Sequence, residues 1–556
     1  MKPVEPLSSP LSPSAAAAQS TVAGIRAAAI LLAASNLLSR VLGYGRDWLI
    51  AFEFGATSQT DVYQASFTLP DLINHLLAGG ALSVSLLPRM AELYAARTAG
   101  SNAEADDAAV NKAFSLVCSA MLVAALALVA AVWLAADPLI AAWFPGFTQQ
   151  QLDQTVHLTR IVLPAQLFFL VGGLFQAVLL ARQQFHAMAL TPLLYNGAII
   201  GGGLIGGQLG QIEGFSWGAL VGALLGGLLV PVFAARKQVQ FRFEFDPLHP
   251  EVRRFLWIAA PLMLGVSLTT VDEWLAKRYG SGLQEGAITW LMTARRVMLV
   301  PIGILGATAG QATGAYLAKL HAEKKREELA TTLTTASSAV VGWSLIAGGL
   351  LAVLAEPVVH FLFQYGRFSA RDATNTAIAL QVMALAIPAW GAQQVLARAF
   401  YAVGDTWRPM IATTAVTVAA LPLYVLAGHA GDRALPQLCA AGVVGIWLQA
   451  FTLLVLARRK MGINLKVLST QCLRALIVAT AAVAGVAALD HSLGSEVETF
   501  VTQWIPLVVA GRGLRLAANG AVAVAIVAAL GSAVAMVGMP QSAVRAMRAI
   551  GITKRT

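Results

Sequence analysis

Runs of about 20 apolar residues follow one another along this chain, each long enough as a helix to cross a hydrocarbon layer of about 30 Å. Backbone in lipid can satisfy its hydrogen bonds in only two ways, as helices or as a closed barrel. Barrel strands alternate polar and apolar residues over segments of about 10, and no such alternation is present. Of the 556 residues, 57% are hydrophobic and 12% charged, against about 25% charged in soluble domains. The pattern predicts an all-α, polytopic membrane protein with about fourteen transmembrane helices. The first falls at about 22–54, the second at about 60–88, the seventh at about 253–276, the eighth at about 283–318 and the last at about 515–537.

The net charge of +10 lies mainly in short loops, which points to membrane topology rather than nucleic acid. Placing both termini in the cytoplasm puts most of the 38 Lys and Arg on that side, as the positive-inside rule requires. Residues 1–21, rich in Pro, Ser and Ala, read as a disordered cytoplasmic tail. Arg26 enters the first apolar run, which predicts an uncleaved first span. The chain also resembles itself. "VLLARQQFHAMALTP" ends at Pro192 and "QVLARAFYAVGDTWRP" at Pro409; "WFPGF" (Trp143 to Phe147) and "FQYGRF" (Phe363 to Phe368) precede spans bearing Pro164 and Pro388. The common offset of about 220 residues predicts two parallel six-helix lobes around a central cavity. These are 22–235 and 253–458, joined by a cytoplasmic linker at 236–252, with two further helices and a tail in 459–556.

Charges within spans are costly and therefore informative. The first span carries Arg40 and Arg46, with Gly43 and Gly45 offering a hinge between them. Interfacial pairing of Arg46 with Asp47 is the plainer alternative. Asp61 heads the second span, where it suits either a helix cap or an acidic partner; Asn74 and His75 follow. The eighth span carries Arg295 and Arg296, which diverge by about 100° on a helix, so only one can aim squarely into a cavity. Together these arginines are suited to a diphosphate, because guanidinium donates two parallel hydrogen bonds and keeps its charge. Asp272 and Glu273 in the seventh span suit a cation or proton site, or pairing with Lys277 and Arg278 one turn on.

Other motifs carry less. "GGGLIG" (Gly201 to Gly206) matches a dinucleotide pattern but lies in a span without a preceding strand, and its small residues suit helix packing. "GFSWG" around Ser216 lacks the strand–turn–helix of a nucleophile elbow. Cys118, Cys439 and Cys472 show no metal or disulfide spacing. No catalytic residues, metal or cofactor are expected.

The stretch "SRVLGYGRDWLIAFEFGATSQTDVYQASFTLPDLI" closely resembles the MurJ family of lipid II flippases, and so do "WLMTARRVMLVPIGILG", "LFQYGRF" and "FYAVGDTWRP", in family order. The family belongs to the superfamily that also holds multidrug and polysaccharide exporters. The resemblance implies alternating access of two lobes that carries a lipid-linked peptidoglycan precursor, a disaccharide-pentapeptide diphosphate, across the bacterial inner membrane. It implies a groove for the lipid tail at the last two spans, and energy from the membrane potential or a coupling cation, sodium or a proton. Arg40, Arg46, Asp61 and Arg296 match cavity positions the family needs.

Four positions depart from the family pattern. Asn74 and His75 stand where a basic pair is common, Gly79 replaces an acid, and Arg295 stands where an acid is frequent. Arg295 is therefore expected to replace part of the lost positive charge. Two other readings remain: a flippase or exporter for another polyprenyl-diphosphate glycan or a drug, and a non-transporting scaffold of envelope assembly. A cavity lined by arginines disfavours the export of cations.

Overall fold

The computed structural model describes residues 13–78, 86–99, 103–264 and 268–504. Among these residues every regular element is helical. Nine described helices are long and apolar enough to cross a membrane, ten if the bent pair Ala370–Ala384 and Ile387–Ala402 forms one span. The expected span at about 515–537 lies outside the described residues, as does Gly79. The second expected span is divided into α2 (Ser58–Ser66), α3 (Thr68–Ala78) and α4 (Leu87–Ala99). Ahead of it, α1 (Pro13–Phe54) is one helix of 42 residues that begins inside the stretch read as a tail.

The described chain groups into two compact units. Unit 1 draws on Met1–Leu49, Leu69–Leu134 and Thr159–Met263, and unit 2 on Ile50–Thr68, Ala135–Leu158 and Leu264–Thr556. Unit 2 thus holds, besides the second repeat, two segments of the first.

In unit 1, α5 (Ala103–Leu134) supplies Phe114, Val117 and Met121 to a core shared with Met90 of α4 and Leu174 and Phe175 of the Ala165–Ala181 helix. The glycines of "GGGLIG" pack helix on helix, as their spacing predicts. A Cβ on Gly202 would lie 2.3 Å from the Gly214 carbonyl oxygen, and one on Gly206 would lie 2.9 Å from the Gly214 Cα. Only hydrogen fits at such a crossing.

The core of unit 2 gathers Leu317, Leu333, Val395, Phe400 and Leu453. The bent pair turns by 47° just ahead of Pro388, near the start of Ile387–Ala402. Proline lacks the N–H that would carry the helix through, so the bend has a local chemical cause. Pro164 stands at the corresponding break between the helices Gln149–Val162 and Ala165–Ala181.

Candidate functional site

The arginines of α1 belong to unit 1. Arg40 is exposed. One residue earlier, Ser39 accepts a hydrogen bond from Asn196 Nδ2 at 3.2 Å, which fastens α1 to the His186–Gln208 helix. Arg46 lies against Asp47: its Nε donates to Oδ1 at 3.0 Å and its other arm approaches the same oxygen at 2.9 Å. The local pairing open to Arg46 from sequence is therefore formed. α1 runs unbroken through Gly43 and Gly45. A Cβ on Gly45 would meet nothing within 4 Å, and one on Gly43 only Asn196 Oδ1 at 4.0 Å. Packing demands neither glycine. On α3, Asn74 is exposed and His75 half-buried.

Asp61 is in unit 2 and is 4% exposed. It caps neither its own helix nor an open cavity. Its Oδ2 accepts from the N–H of Gly286 at 2.8 Å, and its Oδ1 accepts from the N–H and hydroxyl of Thr289 at 2.8 and 2.7 Å. These are N-terminal groups of the Ala287–Pro301 helix, which otherwise lack intrahelical partners. In return, Glu285 Oε1 accepts from the N–H of Ser58, the first residue of α2, at 2.7 Å. Each helix start is thus capped by a carboxylate carried on, or just ahead of, the other. Both pairs have the charge sense that the helix dipole favours, and each cap is worth about 1 kcal/mol.

The same seam continues along the two helices. From Gln64, one turn beyond Asp61, the side-chain oxygen accepts from Arg296 Nη2 at 3.1 Å. The structure therefore brings Asp61 and Arg296 to one helix pair, with Arg296 facing a neutral amide. Arg295, one position away, turns into the interior and is 5% exposed. Its guanidinium bonds Asp272, stands 3.6 Å from Glu273 and lies over the Trp390 ring at 5.7 Å. Glu273 also pairs with Lys277 at 2.9 Å, and the Tyr424 hydroxyl donates to Asp272. Two acids and two bases thus compensate one another. The expected pairing of Glu273 with Lys277 is present, whereas Asp272 takes Arg295 in place of Arg278.

Arg278 has a different task, which the sequence did not signal. Its Nη1 donates to the carbonyls of Ala142 and Trp143 at 2.8 and 3.0 Å, at the C-terminal end of α6 (Ala136–Trp143). A cation suits the free carbonyls of a helix end. Around it, segments of the two repeats meet backbone to backbone. A Cβ on Gly146 would lie 2.4 Å from the Ser281 carbonyl oxygen. One on Gly55 would meet the Arg367 carbonyl oxygen at 2.5 Å, one on Gly366 that of Phe52 at 2.3 Å, and one on Gly286 that of Ala56 at 2.5 Å. Gly55, Gly286 and Gly366 also hold positive φ, a conformation that glycine adopts without strain. The Arg367 N–H donates to the Phe52 carbonyl at 2.9 Å. Gly146 and Gly366 belong to the two motifs that revealed the repeat, so the repeated feature is this contact.

No group of three or more His, Cys, Asp or Glu among the described residues is arranged to hold a metal ion.

Known proteins share both the sequence and the fold. The family described as Lipid II flippase MurJ matches residues 50–508. The lipid II flippase MurJ of Burkholderia cenocepacia is 30% identical over 449 residues, covering 77% of this chain and 82% of that protein. A probable lipid II flippase MurJ of Rhizobium tropici is 26% identical over 441 residues, with coverages of 78% and 80%. Among solved structures, a lipid II flippase MurJ in an inward closed conformation superposes with a TM-score of 0.71 at 20% identity, covering 89% of this chain and 98% of that one. An inward-facing multidrug resistance MATE family transporter of the MOP superfamily gives 0.63 at 18%, with coverages of 76% and 94%.

Proposed function

This chain belongs to the MurJ family of lipid II flippases, and we propose that it carries lipid II from the cytoplasmic to the periplasmic leaflet of a bacterial inner membrane. Its termini are then cytoplasmic, and the Phe54 end of α1, where the glycine contacts lie, is periplasmic. The observation that carries this reading beyond family membership is the seam between α2 and the Ala287–Pro301 helix. There the Asp61 and Glu285 caps hold a periplasmic gate shut, and beside them Arg296 donates to the Gln64 side chain.

The chemistry follows from that geometry. A diphosphate offers Arg296 a charge-assisted, bidentate contact stronger than the one it makes with Gln64. In unit 1, Arg40 is exposed and open to an anion. Arg46 must exchange Asp47 for phosphate, which lets substrate arrival reorganise α1. Opening the gate frees Asp61 and Glu285 together from the helix starts that they cap. Arg295 acts by position: paired with Asp272, it fixes the helix so that Arg296 points the other way. The acids of that interior group are already compensated by Arg295 and Lys277, so they provide no vacant site for sodium or a proton.

The experiment is rescue of a strain depleted of its own lipid II flippase, read by lipid II accessibility at the outer face. Rescue by the native chain and its loss in Arg40→Ala and Arg296→Ala, at equal membrane levels, supports transport and speaks against a scaffold. Asn74 and His75 favour a second reading, a flippase for another polyprenyl-diphosphate glycan. Insertion without rescue would favour that reading. Product formation in detergent would mark an enzyme instead.

A further inference from the structure

The segment between the helix ending at Ala235 and the one starting at Pro250 is built unlike the rest of unit 1. From Val239 to Phe245 it reads "VQFRFEF", apolar and polar in alternation, the period of an extended chain. The N–H of Gln240 donates to Asn111 Oδ1 at 2.8 Å, that of Arg242 to Ser115 Oγ at 3.0 Å and that of Glu244 to Ser119 Oγ at 3.0 Å. The acceptors stand one helical turn apart on α5, a step of about 6 Å, and the donors alternate along an extended chain, a step of about 6.6 Å. The two spacings match, so the segment runs along α5 in register.

Successive N–H and C=O groups of an extended chain point to opposite edges. Phe241, Phe243 and Phe245 therefore turn theirs away from α5, where they meet no partner among the described residues. The three residues are 38%, 62% and 49% exposed, and further along the sequence Leu248 and Trp257 are 79% and 81% exposed.

α5 fixes the depth of this strand. Its candidate span, Asp107–Leu134, has 28 residues, about 42 Å against a hydrocarbon layer of about 30 Å. The excess falls at the polar end, with Asp107, Asn111 and Lys112. With Leu134 at the far boundary, Ser115 lies at the near one and Ser119 about 6 Å past it. A bare backbone edge is not tolerated deep in hydrocarbon, whereas headgroups and their water can satisfy it. Arg236, Lys237, Arg242 and Arg253 are exposed in the segment and its flanks, against one exposed acid, Asp246, and aromatic and basic residues both favour the interface.

We propose that Phe241, Phe243 and Phe245 form an interfacial lipid anchor, a strand laid in the boundary between headgroups and acyl chains of the cytoplasmic leaflet. The rings enter the acyl region and the open edge donates to phospholipid phosphate. The occupant is the bilayer, not a protein strand added to that edge. The inter-repeat linker is thereby a membrane element, whatever substrate the protein carries.

Photo-crosslinking tests this. The full-length protein with p-benzoylphenylalanine in place of Phe243, in nanodiscs of phosphatidylethanolamine and phosphatidylglycerol, should give a phospholipid adduct several-fold above the same probe at Lys324. A yield equal to that at Lys324, or in cells a dominant adduct to another polypeptide, overturns the anchor. Independently, Ser115→Ala with Ser119→Ala should speed amide exchange at Arg242 and Glu244 about tenfold, the order expected for one lost hydrogen bond each, with the α5 amides unchanged. Unaltered exchange would overturn the register.

Discussion

Arg295 and Arg296 are neighbours with opposite surroundings, and single substitutions should separate them. Arg295→Met leaves the half-buried Asp272 beside Glu273 without its cation, a change that should cost up to about 3 kcal/mol, the low end for a buried pair broken on one side. The purified variant should unfold at lower temperature, and adding Asp272→Asn should restore much of the loss. Arg296→Ala removes a bond to an amide and a half-buried guanidinium, so its thermal midpoint should fall less than that of Arg295→Met while transport is lost. If both variants fall equally in stability and transport, the division of labour is wrong. Which of the two arginines faces α2 was not legible in the sequence. Helical geometry says that adjacent residues diverge, but not which one finds Asp272, a partner contributed by another helix.

At the scale of elements, the decisive feature is the mutual capping of α2 and the Ala287–Pro301 helix. Asp61→Asn keeps the shape of the side chain and loses its charge. The closed gate should weaken by about 1 kcal/mol, a several-fold rise in the open population, read as faster labelling of a cysteine introduced at the buried Thr60. Gly45→Ala tests the hinge. Alanine fits the open space there and should stabilise α1 by up to about 1 kcal/mol. Transport should nevertheless slow if α1 must bend, and an undiminished rate would remove the hinge. The spans, their polar ends and the glycine crossing near Gly202 could all be read from local pattern, because hydropathy and small-residue spacing are local properties. The caps could not, since Ser58 and Glu285 lie on different repeats and no periodicity links them. The strand along α5 escaped for a related reason: its seven alternating residues are shorter than a barrel strand and easily passed over, and its acceptors Asn111, Ser115 and Ser119 belong to another element.

On the scale of the whole molecule, the internal repeat proved more informative about contacts than about boundaries. The repeat predicted two equivalent lobes, whereas unit 2 also contains Ile50–Thr68 and Ala135–Leu158 from the first repeat. These segments carry the residues that meet the second repeat at Gly55, Gly146, Gly286 and Gly366. A branched side chain cannot enter such contacts without moving backbone. Gly146→Val should therefore hold the periplasmic end ajar and abolish rescue while the protein still inserts.

Those glycine contacts also bear on electrical insulation. Where carbonyl meets Cα without an intervening side chain, no room is left for water between the two backbones. A charge carried across the membrane is worth about 2.3 kcal/mol per 100 mV, so a side chain forced into such a contact should open a path that ions follow. In planar bilayers the native protein should be silent, and Gly146→Val should show a small leak current.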